Sequence, residues 1–439
     1  MGRGAGSDRP TDEGGAPLAT RPDATLDAGP ADEAEFAESA GGRGRYAPAA
    51  AFSDETPMPR RLEQQLPYEF PDATELLRRL REGLLTAPAL IEDHLQRIAR
   101  EQPRLNAATQ VLGDRAIAEA SSPRPGPLAG LPVSVKESIS LAGHHITVGS
   151  RRMPAVEAAG DAAAVTALRE AGAIVVARGN LPELGLSSET DNLRFGRTNN
   201  PLDVNRTSGG SSGGDAALVA SGCVAAALAS DTFGSIRIPA AFCGVVGYKP
   251  AGNAVDKRGA WPPLKGFLDR WHAVGTITRS VRDARLVGDV LTGPIGLPPL
   301  LEELEFVVPD PFPLKLQQPA IHSAWRRAER VLELAGLPRV RLDFEQIGEL
   351  TRDVGAVMAA ELGPVLDELL TGDDGARFSL LGESWRRVRG QASVSETLFR
   401  AMRLMPMVRP RGEARTTELI ERYLDARERF AALIGPNRL

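Results

Sequence analysis

Between Asp161 and Asn180 the chain reads DAAAVTALREAGAIVVARGN, where apolar residues at helical spacing give way, across a glycine, to the unbroken run AIVVA. A strand without polar alternation has to be covered on both faces, and a helix leading straight into it is the local pattern of parallel α/β sheets. The stretch therefore predicts an α/β layered fold with buried central strands. A second strand is expected within Leu131–Ile139, which alternates β-branched and polar residues between glycines. Two amphipathic helices should precede it, ATELLRRLREGLL capped by Asp72 and APALIEDHLQRIAREQ capped by Thr86. Downstream, DAALVASGCVAAALAS reads as one Ala-rich helix, tightly packed on all sides. Further strands are expected at Gly275–Thr278, Leu304–Val308 and Val340–Phe344. Helices such as GAVMAAELGPVLDELL and ARTTELIERYLDARERFAALIG dominate from Gln346. No internal repeat of fixed period is visible.

With 439 residues, 42% hydrophobic and 25% charged, the chain can bury a large core. Residues 1–66 are rich in Gly, Ala, Pro and acidic groups with few large apolar side chains, so a disordered N-terminal arm is expected there and a folded domain over 67–439. A net charge of −5 offers nothing to drive binding to phosphate backbones or anionic lipid, so nucleic acid is not an expected partner. Two cysteines (Cys223, Cys243) make no disulfide framework, and five scattered histidines show no zinc spacing, so no metal and no cofactor is expected. The first residues carry no apolar run for a signal peptide, and Ala216–Ser230, the longest uncharged stretch near the middle, is too short to span a membrane. The expected setting is the cytoplasm.

Three features have chemistry in them. Lysine is scarce, five of 52 basic residues, and Lys136 lies on the second predicted strand. A lysine desolvated there can lose its proton and act as a base, which arginine cannot; the alternatives are snorkelling to solvent or pairing with Glu137 or another acid. The run Gly209-Gly210-Ser211-Ser212-Gly213-Gly214 lacks the GK[ST] ending and the GxGxxG pattern of phosphate loops, and suits backbone that approaches another segment closely or adopts an unusual conformation. Ser235, in ASDTFGSIRIPA, follows a turn where successive N–H groups could converge on an oxyanion. A serine alone on a turn is far more often a hydrogen-bonding structural residue than a nucleophile, the G-x-S-x-G elbow is absent, and no histidine stands out as its base.

Taken in order, PVSVKESI, NLRFGRTNNPLDVNRTSGGSSGG and ASDTFGSIRIPAAFCGVVGYKP strongly resemble the amidase signature family of serine amidohydrolases, with Ser235 placed 24 residues after Ser211. The resemblance runs from about Thr74 to Thr292 and implies a twisted mixed β-sheet covered by helices on both faces. It also implies a Ser-Ser-Lys triad, with Ser235 as nucleophile, Ser211 as the bridging serine and Lys136 as base. A cis peptide between Gly210 and Ser211 would follow. So would an oxyanion hole from the N–H groups of Thr232, Phe233, Gly234 and Ser235. Asp231 and Arg237 would hold the turn, Ser212 and Thr207 would lend hydrogen bonds, and Cys243 would be a buried small residue.

Two departures from the family pattern stand out. Phe233 replaces the first glycine of a common Gly-Gly-Ser turn, and Glu137 stands where Asp is frequent. Family members also continue past a helix like ELIERYLDARERFAALI with a returning strand and a GLPxGxQ-type segment; neither is visible before Leu439, so the domain is expected to be C-terminally short, with self-association into a homo-oligomer as one compensation. The expected activity is hydrolysis of a small-molecule carboxamide or related C–N bond through an acyl-enzyme. The competing readings are the amide-hydrolysing subunit of an amidotransferase and a catalytically silent binding protein. Residues around Trp261, Trp271 and His272, with helices after Gln346, are expected to line the acyl pocket.

Overall fold

The computed structural model describes residues 70–153, 155–264, 266–293, 300, 303–310, 319–343, 354–371 and 378–434. By its contacts the chain divides into Met1–Arg60 and Arg61–Leu439, and every described residue belongs to the second unit. The expected N-terminal arm, residues 1–66, lies outside the described residues.

The described residues open with helix α1 (Ala73–Arg81), whose N-cap Asp72 accepts the Glu75 N–H at 3.1 Å, and α2 (Ala87–Leu105), capped by Thr86. Helix α1 stops before the predicted Leu85, where Gly83 takes φ +69°. Strand β1 (Ala108–Val111) and helix α3 (Gly113–Ala120) follow, then β2 (Pro132–Lys136), the short pair β3 (His145–Ile146) and β4 (Val156–Glu157), α4 (Ala163–Glu170) and β5 (Ile174–Gly179). The loop run GGSSGG leads into α5 (Gly213–Ala220). After it come β6 (Ala226–Asp231), α6 (Arg237–Cys243), β7 (Val246–Tyr248), α7 (Gly266–Trp271), β8 (Ala273–Thr278) and α8 (Val281–Thr292).

One expectation fails here. The Ala-rich segment is not a single helix: α5 ends at Ala220, the chain turns with Gly222 at φ +68°, and AALASD forms β6 in the middle of the sheet. Alanine is the best helix former, but its advantage is only roughly a few tenths of a kcal/mol per residue, and pairing on both edges outweighs it. The turn bearing Ser235 therefore leaves the end of a strand, not of a helix.

The sheet has six strands in the order β1-β5-β2-β6-β8-β7. Strands β5, β2 and β6 are mutually parallel, whereas β1, β8 and β7 join antiparallel, which makes the sheet mixed. Period-2 alternation sends side chains to two cores. Val133, Val135, Val175 and Leu228 face a cluster that includes Leu77 of α1, Leu168 of α4 and Val287 of α8. Ile174, Val176, Ala227 and Ala229 face Ile91 and Ile98 of α2 and Leu218 of α5. Helices cover both faces, as the resemblance implies.

Beyond the sheet, β9 (Phe306–Asp310), α9 (Pro319–Leu334) and β10 (Arg339–Asp343) form a parallel two-stranded unit, its strands offset by a residue or two from the predicted ones. Helices α10 (Val354–Leu369), α11 (Leu380–Val388), α12 (Glu396–Val408) and α13 (Glu413–Ile434) follow. A third apolar cluster packs Leu362 and Leu366 of α10 and Leu398 of α12 onto Val148, Leu181 and Leu184, in the loops after β3 and β5. Buried Glu183 ties this layer down, accepting from Ser150 Oγ at 2.9 Å and from the Ser395 N–H at 2.5 Å.

Candidate active site

Because β2, β5 and β6 run parallel, their C-terminal ends share one edge of the sheet, the usual place for ligand sites in such folds. Lys136 closes β2 beside Gly179, the last residue of β5, and Asp231 closes β6. Since Val133 and Val135 fill the core on one face, Ser134 and Lys136 must point to the other, under the start of α5.

There Lys136 is 2% exposed. Its Nζ lies 2.7 Å from Ser211 Oγ, 3.3 Å from Ser230 Oγ and 3.5 Å from the Ser230 carbonyl. The lysine does not reach solvent, its Nζ is held by hydroxyl and carbonyl oxygens rather than by a carboxylate, and Glu137 turns away to accept the N–H groups of Thr147 and Val148 at 2.7 and 2.9 Å. Burial drives Lys136 down to about 8, against the opposing pull of Asp215 and Asp231. Asp215, in the first turn of α5, is fully buried and accepts from Ser134 Oγ at 2.7 Å; burial pushes its carboxyl up to about 7. Arg178, also buried, donates to the Ile139 carbonyl at 3.1 Å and to those of Glu137 and His145.

The glycine-rich run brings Ser211 to the lysine. Gly209 has φ +81°, and a β-carbon on Gly210 would sit 2.5 Å from the Ser187 carbonyl oxygen, so backbone passes against backbone. The Gly210–Ser211 peptide is cis. Thr207 Oγ1 accepts the Gly209 N–H at 3.1 Å, and Ser212 Oγ lies 3.4 Å from the Ser230 carbonyl. The Ser212 N–H donates to the Ser235 carbonyl at 3.0 Å, fastening the serine loop to the turn after β6.

That turn is organised by Asp231. Its Oδ1 accepts the Gly234 N–H at 2.7 Å, its Oδ2 accepts the Ile236 N–H at 3.1 Å, and both oxygens accept from the Arg237 guanidinium at 3.0 Å. Burial favours the neutral acid, but these donors outweigh it and hold the Asp231 carboxyl below the usual range. Gly234 takes φ +114°, whereas Phe233 is not among the residues at positive φ, so a β-carbon at Phe233 costs the turn nothing. The Gly234 N–H is already partnered within the turn; among the described residues, the N–H groups of Thr232, Phe233 and Ser235 meet no acceptor.

Ser235 is half-buried and opens, with Lys136 and Ser211, onto a cavity of about 280 Å³. Trp261 and His272 line it, as expected, together with Met358 and Leu362 of α10. Trp271 stands behind Phe233, edge-on with ring centroids 5.0 Å apart, and in turn meets Tyr423 of α13 at 5.1 Å. Thr232 Oγ1 lies 2.9 Å from His272 Nδ1, and burial pushes that imidazole down to about 4, so it is neutral. Cys243 is buried, as expected. Among the described residues, no group of three or more His, Cys, Asp or Glu could hold a metal ion, and no helix is long and apolar enough to cross a membrane.

Asp215 and Ser134 are the contributors that sequence reasoning missed. The available signal was a lone acidic residue directly after GGSSGG, heading an otherwise apolar helix.

A buried lysine under a serine-rich loop, facing a serine on a carboxylate-braced turn, defines a candidate hydrolase site. The chain belongs to the amidase family, whose model, described as Amidase, matches residues 89–437. Among curated proteins it is 43% identical over 241 residues to one of Mycobacterium tuberculosis named "Putative amidase AmiB2", a match covering 52% of this chain and 50% of that protein. It is 38% identical over 272 residues to a glutamyl-tRNA(Gln) amidotransferase subunit of Thermus thermophilus, covering 60% and 56%. The chain thus spans about half the length of the curated relatives it matches. A crystal structure of an amidase superposes with a TM-score of 0.69 at 29% identity, over 84% of this chain and 80% of the other.

Proposed function

We propose that the chain hydrolyses the C–N bond of a carboxamide, with Ser235 as nucleophile, Ser211 as bridging serine and Lys136 as base. What carries the reading is the 2.7 Å contact between a fully buried Lys136 and Ser211 on the cavity that Ser235 also lines. A neutral Lys136 accepts the Ser211 proton while Ser211 takes the Ser235 proton, and Ser235 Oγ attacks the amide carbon. The oxyanion that forms is met by the N–H groups of Thr232, Phe233 and Ser235, where one donor is worth about 3 kcal/mol. The relay then returns a proton to the leaving nitrogen, the C–N bond breaks, and water attacks the acyl-enzyme by the same route. Asp231 and Arg237 position the turn. Family membership and the amidase neighbours support amide hydrolysis as the chemistry, and two buried, unpaired cysteines fit a cytoplasmic setting.

The relative named as part of an amidotransferase suggests a second reading, hydrolysis of an amide for transfer of its ammonia within a complex. The test measures ammonia released from simple carboxamides by the isolated chain, with hydroxylamine present to trap the acyl group. The proposal predicts ammonia and hydroxamate from wild type and neither from Ser235→Ala. Release only when a partner protein is added would favour the second reading, and release undiminished in Ser235→Ala would refute the assignment.

A further inference from the structure

The cavity beside Ser235 has a chemical character that the hydrolytic reading leaves unspecified. Leu181, Leu184 and Leu186 enter it from the loop after β5, Met358 and Leu362 from α10, and Trp261 from the segment before α7. Phe233, two residues before the nucleophile, also lines it, with its ring edge-on to Trp271. Among the described lining residues the only ionisable ones are Lys136 and His272. Each is committed elsewhere, Lys136 to Ser211 and Ser230, and His272 Nδ1 to the Thr232 hydroxyl. The remaining polar lining consists of serine and threonine, with no carboxylate and no guanidinium.

We infer that the acyl side of the site takes an uncharged, apolar group, so that the substrate is a neutral aliphatic or arylalkyl carboxamide rather than glutamine or another charged amide; this rests on the hydrolytic reading above. An α-ammonium placed here would lose its hydration with no opposite charge to replace it, and a carboxylate would find only Lys136, whose Nζ is held by Ser211 and Ser230. Every methylene, by contrast, trades water for leucine, methionine and tryptophan. About 280 Å³ accommodates on the order of nine non-hydrogen atoms, taking each as roughly the 30 Å³ share of a liquid water. Hexanamide and phenylacetamide are of that size. The same lining weighs against the amidotransferase reading, because glutamine carries both charges on the carbon chain that would have to enter.

The test separates the pocket from the chemistry. Tryptophan fluorescence of Ser235→Ala, read through Trp261, follows binding of propanamide, butanamide, hexanamide, phenylacetamide and L-glutamine without turnover. Affinity should rise about fourfold per methylene from propanamide to hexanamide, and glutamine should bind at least thirtyfold more weakly than hexanamide. Introducing a cation with Met358→Arg should shift preference at least tenfold from hexanamide toward the half-amide of glutaric acid. Should either variant misfold, ammonia release by wild type over the same series gives the same ranking as kcat/KM. Glutamine binding as tightly as hexanamide, an affinity independent of chain length, or no binding by any of these amides would overturn the inference. Retention of the chain-length gradient in Ser235→Ala, with no ammonia released by wild type, would support the pocket and overturn the hydrolytic reading instead.

Discussion

Charge on Lys136 should set the pH dependence of the nucleophile. Burial lowers this lysine to about 8, and only its neutral form can accept the Ser211 proton. The neutral fraction then climbs from about one-eleventh at pH 7 to about ten-elevenths at pH 9, so the second-order rate of inactivation by a fluorophosphonate should rise about tenfold over that interval and level off above it. The reagent reads Ser235 directly, without substrate binding or product release. Asp215 supplies a negative charge that favours the ammonium. Removing it in Asp215→Asn should lower the Lys136 pKa further and move the rising limb to lower pH, with a larger active fraction at pH 7. A structural role for Asp215 alone would reduce the plateau without moving the limb. An inactivation rate that is flat from pH 6 to 10, or that falls as pH rises, would refute the assignment of Lys136 as the base.

The same burial has a thermodynamic side. The folded-state pKa of Lys136 is depressed below its ordinary 10.5, so between about 8 and 10.5 the unfolded chain holds more protons and stability rises with pH; Lys136→Met should therefore raise Tm at pH 7 while abolishing inactivation, and a lower Tm would contradict this. Phe233→Gly should cut kcat/KM for apolar amides about tenfold, since it removes the ring that faces Trp271 and the cavity; a gain in turnover would mean that the ring obstructs the oxyanion donors. Asp231→Ala frees the Gly234 and Ile236 N–H groups and strands Arg237, so kcat should fall about a hundredfold with KM little changed and Asp231→Asn intermediate. Gly214→Ala would bring a β-carbon within 2.1 Å of the Asn180 nitrogen and should cost about 1–3 kcal/mol in denaturant unfolding, more than the same change at a surface glycine such as Gly160.

How far the chain could be read before folding depends on how local each cause was. The helix-then-strand pattern of Asp161–Asn180 names its own environment, because AIVVA is tolerable only between two helical layers, and it lies inside the sheet as β5, paired on both edges. The caps at Asp72 and Thr86 are equally local. The division of the Ala-rich segment was hidden because alanine is the best helix former, whereas β6 is decided by pairing with β2 and β8, strands far away in sequence. At the site, the resemblance carried by the three motifs pointed to Lys136, Ser211 and Ser235, and the fold brings all three to one cavity. The contact between Ser134 and Asp215, 81 residues apart, follows from β2 register against α5 and leaves only a faint mark in the sequence. Likewise the apolar wall from α10 depends on which face of a distant helix meets the loop after β5.

The central claim is that Ser235 is an activated nucleophile. The most direct measurement is intact-protein mass after exposure to a fluorophosphonate, with peptide mapping of the adduct, for wild type and for Ser235→Ala of matched circular dichroism. The structure predicts a single adduct on wild type, mapped to Ser235, and none on the variant. An adduct that persists on Ser235→Ala, or a folded wild type that stays unlabelled at pH 9, would contradict it.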